Sequence, residues 1–225
     1  MRIVFYFLHL IIDSDIMVLE GLKKALASFF SAFRKKKNIK IGIYGPVNSG
    51  KTTLANKISM DWLGERLGTA SAVPHETREI QMKERIEMKN RGKSLTFNLI
   101  DTPGIATKID FEDFIKHGMK KKDAKSRAKE ATKGVIEAIK WLDDMDLVLV
   151  VLDSSTDPLN QVNITILGNL DARKIPLFIV ANKVDLKSSA ASRVRDAFPN
   201  YKTIGLSAKT GFNIEELYDE IVQTL

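Results

Sequence analysis

Apolar residues along this chain follow two rhythms, and the changes between them lay out an alternating series of strands and helices. Residues 39–44, Ile39-Lys40-Ile41-Gly42-Ile43-Tyr44, alternate with period two and run straight into a glycine-rich turn, which predicts a strand. A helix is predicted over 51–67. Further strands are predicted over 79–88, 94–100, 147–152, 176–181 and 203–206, with helical patterns between the later ones and a last helix over 213–223. Strands that alternate with helices imply a mostly parallel sheet covered on both faces. Asn90-Arg91-Gly92-Lys93 has turn chemistry and lies between two of the strands, so one hairpin and one antiparallel edge are expected. No internal repeat or low-complexity linker interrupts the pattern.

The first part of the chain reads differently. Residues 3–12 are apolar except for His9, too short for a membrane-spanning helix, which needs about 20 residues. Asp13, Asp15 and Glu20 stand where a signal peptide would have its small-residue cleavage site, so secretion is not expected. Met17 is an alternative translation start. Over 18–33, Val18, Leu19, Leu22, Leu26, Phe29, Phe30 and Phe33 recur at spacings of three and four, the pattern of an amphipathic helix, and Arg34-Lys35-Lys36-Lys37 follows directly. An apolar face beside a basic cluster suits peripheral contact with an anionic membrane, and it also suits packing on the domain or on a partner. Periodicity does not choose between lipid and protein. Residues 1–37 are therefore read as a helical extension and residues 38–225 as one domain.

Composition narrows the class. With 225 residues, 44% hydrophobic and 28% charged, the chain suits a soluble α/β domain with an ordinary core. It has no cysteine, which excludes disulfides, thiolate metal sites and cysteine nucleophiles and fits a cytoplasmic setting. The net charge of +7 leaves RNA or an anionic membrane open as partners without favouring either.

Chemistry enters at Gly45-Pro46-Val47-Asn48-Ser49-Gly50-Lys51-Thr52, a G-x-x-x-x-G-K-[ST] phosphate loop placed between a strand and a helix. Gly45 and Gly50 let the backbone wrap phosphate with its N–H groups, and the helix that starts at Lys51 adds its positive dipole end. Lys51 reaches the terminal phosphates, and the Thr52 hydroxyl is placed to ligate Mg²⁺. Ser49 and Thr53 flank these residues and complete the phosphate-binding set.

Asp101-Thr102-Pro103-Gly104 ends the strand predicted over 94–100. Asp101 thus sits at a carboxyl edge of the sheet, where it can hold Mg²⁺ through water, and Gly104 offers a backbone N–H to a terminal phosphate. Asn182-Lys183-Val184-Asp185 follows another strand. The Asp185 carboxylate can accept from guanine N1–H and the exocyclic amine, whereas adenine offers an acceptor at N1, so GTP is expected over ATP. Asn182 suits base and loop contacts, and the Lys183 stem can cover the base. Ser207-Ala208-Lys209 follows the last strand, where backbone N–H groups can contact the guanine carbonyl oxygen.

These four motifs resemble those of the Ras-like, translation-factor-related P-loop GTPases over residue 39 to the end of the chain. The resemblance implies a three-layer α/β G domain with a mostly parallel sheet and one antiparallel edge strand, and hydrolysis of GTP to GDP as a switch. The Asp-Thr-Pro-Gly form followed by Ile105, where others have a water-orienting glutamine, is similar to the Era and TrmE branch. Within that branch Asn48 resembles the asparagine that helps bind K⁺, which would make Asn48 catalytic along with Lys51, Gly104 and Thr77. Thr77 takes the place of the switch threonine that closes over Mg²⁺, joining Thr52 and Asp101 as a metal residue. Here His75 and Glu76 replace the glycine and first threonine usual before it. His75 itself is read as a solvated loop residue. A switch-dependent dimer or protein partner is a further implication of the resemblance.

Residues 106–140 form a charge-rich insert expected to be one or two helices, with Lys116, Lys120, Lys121, Lys122, Lys125, Arg127, Lys129 and Lys133. RNA or another acidic partner is one reading. A solvated helix is preferred, because Asp113, Asp123, Glu130 and Glu137 interrupt the basic residues and no stacking aromatics lie among them. Era also carries a carboxyl-terminal RNA-binding KH domain, which this sequence lacks, so RNA binding does not follow from the resemblance alone.

Overall fold

The computed structural model describes residues 38–67, 79–106, 111–116 and 118–225; the helix expected over 18–33 and the switch residue Thr77 lie outside the described residues. Residues 38–224 cluster as one unit. In this unit the elements run β1 (Ile39–Tyr44), α1 (Lys51–Leu63), β2 (Gln81–Asn90), β3 (Lys93–Asp101), α2 (Phe111–Lys116) and α3 (Lys121–Trp141). They continue with a short 3-10 turn (Leu142–Asp144), β4 (Leu147–Asp153), α4 (Gln161–Ala172), β5 (Leu177–Asn182), α5 (Ala191–Ala197), β6 (Thr203–Gly205) and α6 (Ile214–Thr224).

The six strands form one sheet in the order β2-β3-β1-β4-β5-β6. All neighbours are parallel except β2 and β3, joined as the expected antiparallel edge hairpin. The hairpin turns through Arg91 (φ 48°) and Gly92 (φ 77°), two consecutive positive-φ residues, as a tight two-residue turn requires. Between Lys83 and Ile86 the edge strand slips by a bulge, with Arg85 at φ 58° and its N–H donating to Asn98 Oδ1 at 3.0 Å. A bulge with exposed charge makes this open edge a poor template for further strands.

Alternation along the central strands sends side chains to two cores. Tyr44, Val148, Val150, Leu152, Ile179 and Ala181 pack with Val135, Ala138 and Leu142 of α3 and its 3-10 extension and with Ile166, Leu167 and Leu170 of α4. The intervening residues, Ile41, Ile43, Leu149 and Val151, face the other way, and α1 and α6 lie along the strands β1 to β3 on that side. The result is the three-layer α/β architecture expected. Tyr44 also ties β1 to α3: its hydroxyl donates to the Ala138 carbonyl at 2.9 Å in a fully buried setting, and burial there raises its pKa. Tyr44→Phe is expected to cost about 1–2 kcal/mol, read as a lower denaturant midpoint at unchanged m-value.

The end of one helix and the burial of one residue differ from the sequence reading. The helix predicted over 51–67 stops at Leu63 because Gly64 adopts φ 72° and caps it, its N–H returning to the Met60 carbonyl at 3.0 Å. The basic insert resolves into two helices, α2 and α3, and Arg127 is 5% exposed, so it belongs to the interior and not to the surface charge.

Candidate functional site

The carboxyl ends of β1, β3, β4, β5 and β6 all open on one edge of the sheet, and every described motif lies there. β1 has β3 on one side and β4 on the other, so the chain leaves the sheet in opposite directions around it. That is the switch point where open α/β sheets bind ligands.

The phosphate loop runs from Gly45 to Gly50 and is shaped by its glycines. A side chain at Gly45 (φ 151°) would place its Cβ 2.2 Å from the Val151 carbonyl, and one at Gly50 (φ 96°) 2.2 Å from Asn182 Nδ2. Asn48 is exposed with φ 60°, a left-handed conformation that asparagine tolerates, so it suits the turn as well as any ligand role. Ser49 is buried at 1% exposure, and its hydroxyl has no hydrogen-bond partner in the structure. Gly50 caps α1, which puts the N–H groups of the first turn, including those of Lys51, Thr52 and Thr53, at the loop.

Lys51 folds back so that Nζ donates to the Pro46 carbonyl at 2.7 Å. It is 6% exposed, and burial lowers its pKa to about 8 although Asp101 pulls the other way. Asp101 is fully buried; burial raises its pKa to about 6 despite a hydrogen bond from Thr52 Oγ1 to Oδ2 at 2.7 Å. Its other oxygen, Oδ1, is buried with no hydrogen-bond partner. A buried ammonium and a buried carboxylate, each shifted toward neutrality, mark a pocket that an anion and a cation together would relieve. Thr52 Oγ1 and the open Asp101 Oδ1 are the hard oxygen donors Mg²⁺ prefers, so the residues fit the metal.

Gly104 packs against the loop, where a Cβ would come 2.8 Å from Val47 Cα. The next residue, Ile105, donates its N–H to the Gly45 carbonyl at 3.0 Å and forms a parallel bridge with Pro46. The segment after Asp101 is thereby held alongside the phosphate loop. Thr102 is buried and anchors it, donating to the Ile43 carbonyl at 2.7 Å.

Asn182 joins the phosphate side to the base side. Its Nδ2 donates to the Ser49 carbonyl at 2.9 Å, and its Oδ1 accepts the Ala208 N–H at 2.9 Å, all in a buried setting. Lys183 (φ 67°) directs Nζ to Asp153 Oδ2 at 2.7 Å, leaving its stem partly exposed. Asp185 and Lys209 are exposed at the mouth, while Ser207 is buried, its Oγ accepting the Thr210 N–H at 3.2 Å.

Sequence reasoning missed Asp153 and Ser154 at the end of β4. Burial pushes the Asp153 carboxyl up, but hydrogen bonds from Lys183 and Ser155 outweigh it and hold the pKa below the ordinary value. Ser154 donates to the Asn182 carbonyl through Oγ at 2.6 Å and N–H at 3.0 Å. The signal was available in an acidic residue at the carboxyl edge of a buried parallel strand. The structure brings together Gly45, Ser49, Gly50, Lys51, Thr52, Asp101, Gly104, Asn182, Lys183 and Ala208 by direct contact or shared partners.

Comparison with known proteins agrees. Residues 40–183 match the family model described as 50S ribosome-binding GTPase. GTPase Era of Geotalea daltonii is 31% identical over 182 residues, covering 79% of this chain and 52% of that protein. GTPase Der of Nautilia profundicola is 28% identical over 192 residues, covering 82% of this chain and 36% of that protein. The chain thus spans about half or less of the length of these relatives. Among solved structures, an Aquifex aeolicus Era variant bound to GDP and aluminium fluoride superposes with a TM-score of 0.63 at 22% identity, covering 83% of this chain and 56% of that one. Era in complex with MgGDPNP and nucleotides 1506–1542 of 16S ribosomal RNA gives 0.64 at 22% identity, covering 84% and 57%. With the motifs assembled at one sheet edge and the family match running from β1 through the phosphate loop and Asp101 to Lys183, this chain belongs to the 50S ribosome-binding GTPase family and carries an Era-like G domain.

Proposed function

We propose that this protein binds GTP with Mg²⁺ and hydrolyses it slowly to GDP and phosphate, acting as a nucleotide-dependent switch. The observation that carries this reading is the Thr52–Asp101 pair at 2.7 Å, with an open buried carboxylate oxygen beside the shifted Lys51 ammonium. Thr52 and Asp101 would hold Mg²⁺, which would supply positive charge against the charge that develops on the phosphates. Lys51 would leave the Pro46 carbonyl for the phosphates, Gly45 to Thr53 would cradle them, and Gly104 would sense the terminal one through its N–H. Thr77 would close over the metal side. Asn182, Lys183, Asp185, Ser207, Ala208 and Lys209 would hold the base and its surroundings.

Ile105 stands where a water-orienting glutamine would be useful. Its aliphatic side chain is 8% exposed and its N–H is engaged by Gly45, so it can neither donate to nor accept from an attacking water through the side chain. Slow turnover follows, and a potassium ion held near Asn48 would supply positive charge at the phosphates. Single-turnover phosphate release is expected to be roughly tenfold faster in potassium than in matched sodium, with the gain lost in Asn48→Ala. Equal rates in the two salts would remove the potassium role. No release above a Lys51→Ala control in either salt would leave a nucleotide-binding adaptor in place of an enzyme.

Residues 1–37 are proposed to act as a helical extension that contacts either a membrane surface or a protein. Sedimentation with anionic liposomes before and after deletion of residues 1–37 separates these. Among the described residues no helix is long and apolar enough to cross a membrane.

A further inference from the structure

The helix α3 sorts its charges more sharply than the sequence suggests. At about 3.6 residues per turn, Lys122, Lys125, Lys129, Lys133 and Lys140 fall along one outward face, and all five are exposed. Asp123, Glu130 and Glu137 recur every seven residues on a separate, neighbouring stripe. The third sector, with Ala124, Arg127, Ala131, Gly134, Val135 and Ala138, is buried against the domain. The acids therefore flank the lysines instead of interrupting them, and the basic row extends about 27 Å from Lys122 to Lys140, with Ile136 between the last two lysines.

We propose that this row is a docking surface for the phosphate backbone of duplex RNA. A straight line of ammonium groups on a rigid helix suits a polyanion whose charges also lie in rows. The face carries no arginine fork and no row of aromatics; Phe111 lies near it, with Lys125 Nζ 5.4 Å over its ring. Sequence readout and base stacking are thus unprovided for, which favours a paired, shape-recognised duplex over a single strand. A membrane is a poorer fit. The apolar sector of α3 is already buried in the domain, and Ile136, at 50% exposure, is the single apolar residue standing among the lysines. The acidic stripe adds direction by repelling phosphates along one side of the row. Tyr44 fastens α3 to the strand that feeds the phosphate loop, so the row is held in a fixed relation to the nucleotide site. This inference adds a partner to the proposed GTPase and does not depend on hydrolysis.

The test uses the full chain and a fluorescein-labelled mixed-sequence RNA duplex of about 20 base pairs, longer than a footprint of about 16. Anisotropy titrations run over about 50–200 mM salt. One variant carries Lys122→Gln, Lys125→Gln, Lys129→Gln and Lys133→Gln; a charge-matched control carries Lys89→Gln, Lys93→Gln, Lys174→Gln and Lys187→Gln, all exposed elsewhere. The row variant is expected to bind the duplex about 10²-fold more weakly, with a log–log salt slope shallower by about 3–4, while the control stays close to the parent. Unchanged GDP binding in both variants would keep this result independent of the nucleotide site. Equal losses in the two variants would overturn the proposal in favour of net charge. Tighter binding of the corresponding single strand would overturn it as well. So would loss of phosphatidylserine-vesicle binding in the row variant with duplex binding intact.

Discussion

Asn182→Ala is expected to lower both the stability of the fold and the affinity for every nucleotide, although the side chain is wholly engaged by protein. It removes the donor to the Ser49 carbonyl and the acceptor for the Ala208 N–H, two buried bonds of 2.9 Å, and leaves both backbone groups without that partner. At about 1–3 kcal/mol for each stranded group, the loss is about 2–6 kcal/mol, or a fall in melting temperature of roughly 5–20 °C for a chain of this size. The same change disconnects the loop that cradles phosphate from the loop that meets the base. Gly50 has no room for a Cβ because Asn182 occupies it, so the two loops are fitted to each other through this one amide. Affinity for GDP, GTP and ATP, measured by titration well below the melting point, is expected to drop together by about 10²-fold. Asn182→Asp keeps an acceptor for Ala208 but loses the donor to Ser49, and it is expected to be no better. Lys183→Gln, which breaks a partly exposed ion pair with Asp153, is expected to cost about 1 kcal/mol. A melting temperature unchanged in Asn182→Ala would show that the bridge does not couple the loops.

The separation between what the sequence disclosed and what it withheld follows from locality. The phosphate loop, Asp101 and the Asn182 to Asp185 run were legible because each is a short segment whose residues act at fixed spacing. The antiparallel edge was legible because Arg91-Gly92 must adopt positive φ together, and glycine advertises that. Partnerships between segments were not legible. Asn182 was read as a base and loop residue, but its bonds reach 133 positions back to Ser49 and 26 forward to Ala208. Asp153 and Ser154 were missed because their partners Lys183 and Asn182 lie at the end of the next strand, about 30 positions on in the chain. The charge stripes of α3 were not legible for a related reason. Along the chain acids and lysines are interspersed, and helical geometry separates them into stripes. Arg127 shows the same limit, since an arginine within a basic run reads as surface until burial is known.

Asp185→Asn is expected to change which base is bound while leaving the fold intact, in contrast with the loss of all nucleotides at Asn182. Asp185 is exposed, so the substitution itself should shift stability by less than about 0.5 kcal/mol. As a carboxylate it offers two acceptors to the two donors of guanine, N1–H and the exocyclic amine. An amide offers one acceptor and one donor, and the donor then faces the guanine amine without a partner. GDP affinity is expected to fall about 10²- to 10³-fold, about 3–4 kcal/mol at about 1.4 kcal/mol per tenfold. Xanthine keeps N1–H but carries a carbonyl in place of the amine, which matches an asparagine amide donor for acceptor. XDP should therefore bind Asp185→Asn more tightly than GDP does, reversing the order in the parent, while ADP gains nothing in either protein. Competition of the three diphosphates against a fluorescent GDP analogue reads this order directly. A parallel loss of GDP and XDP would mean that Asp185 shapes the loop instead of reading the base, and recognition would then have to rest on the backbone N–H groups around Ala208. Because Asn182→Ala leaves the order of bases untouched and Asp185→Asn inverts it, the pair of variants separates the residue that positions the site from the residue that selects its ligand.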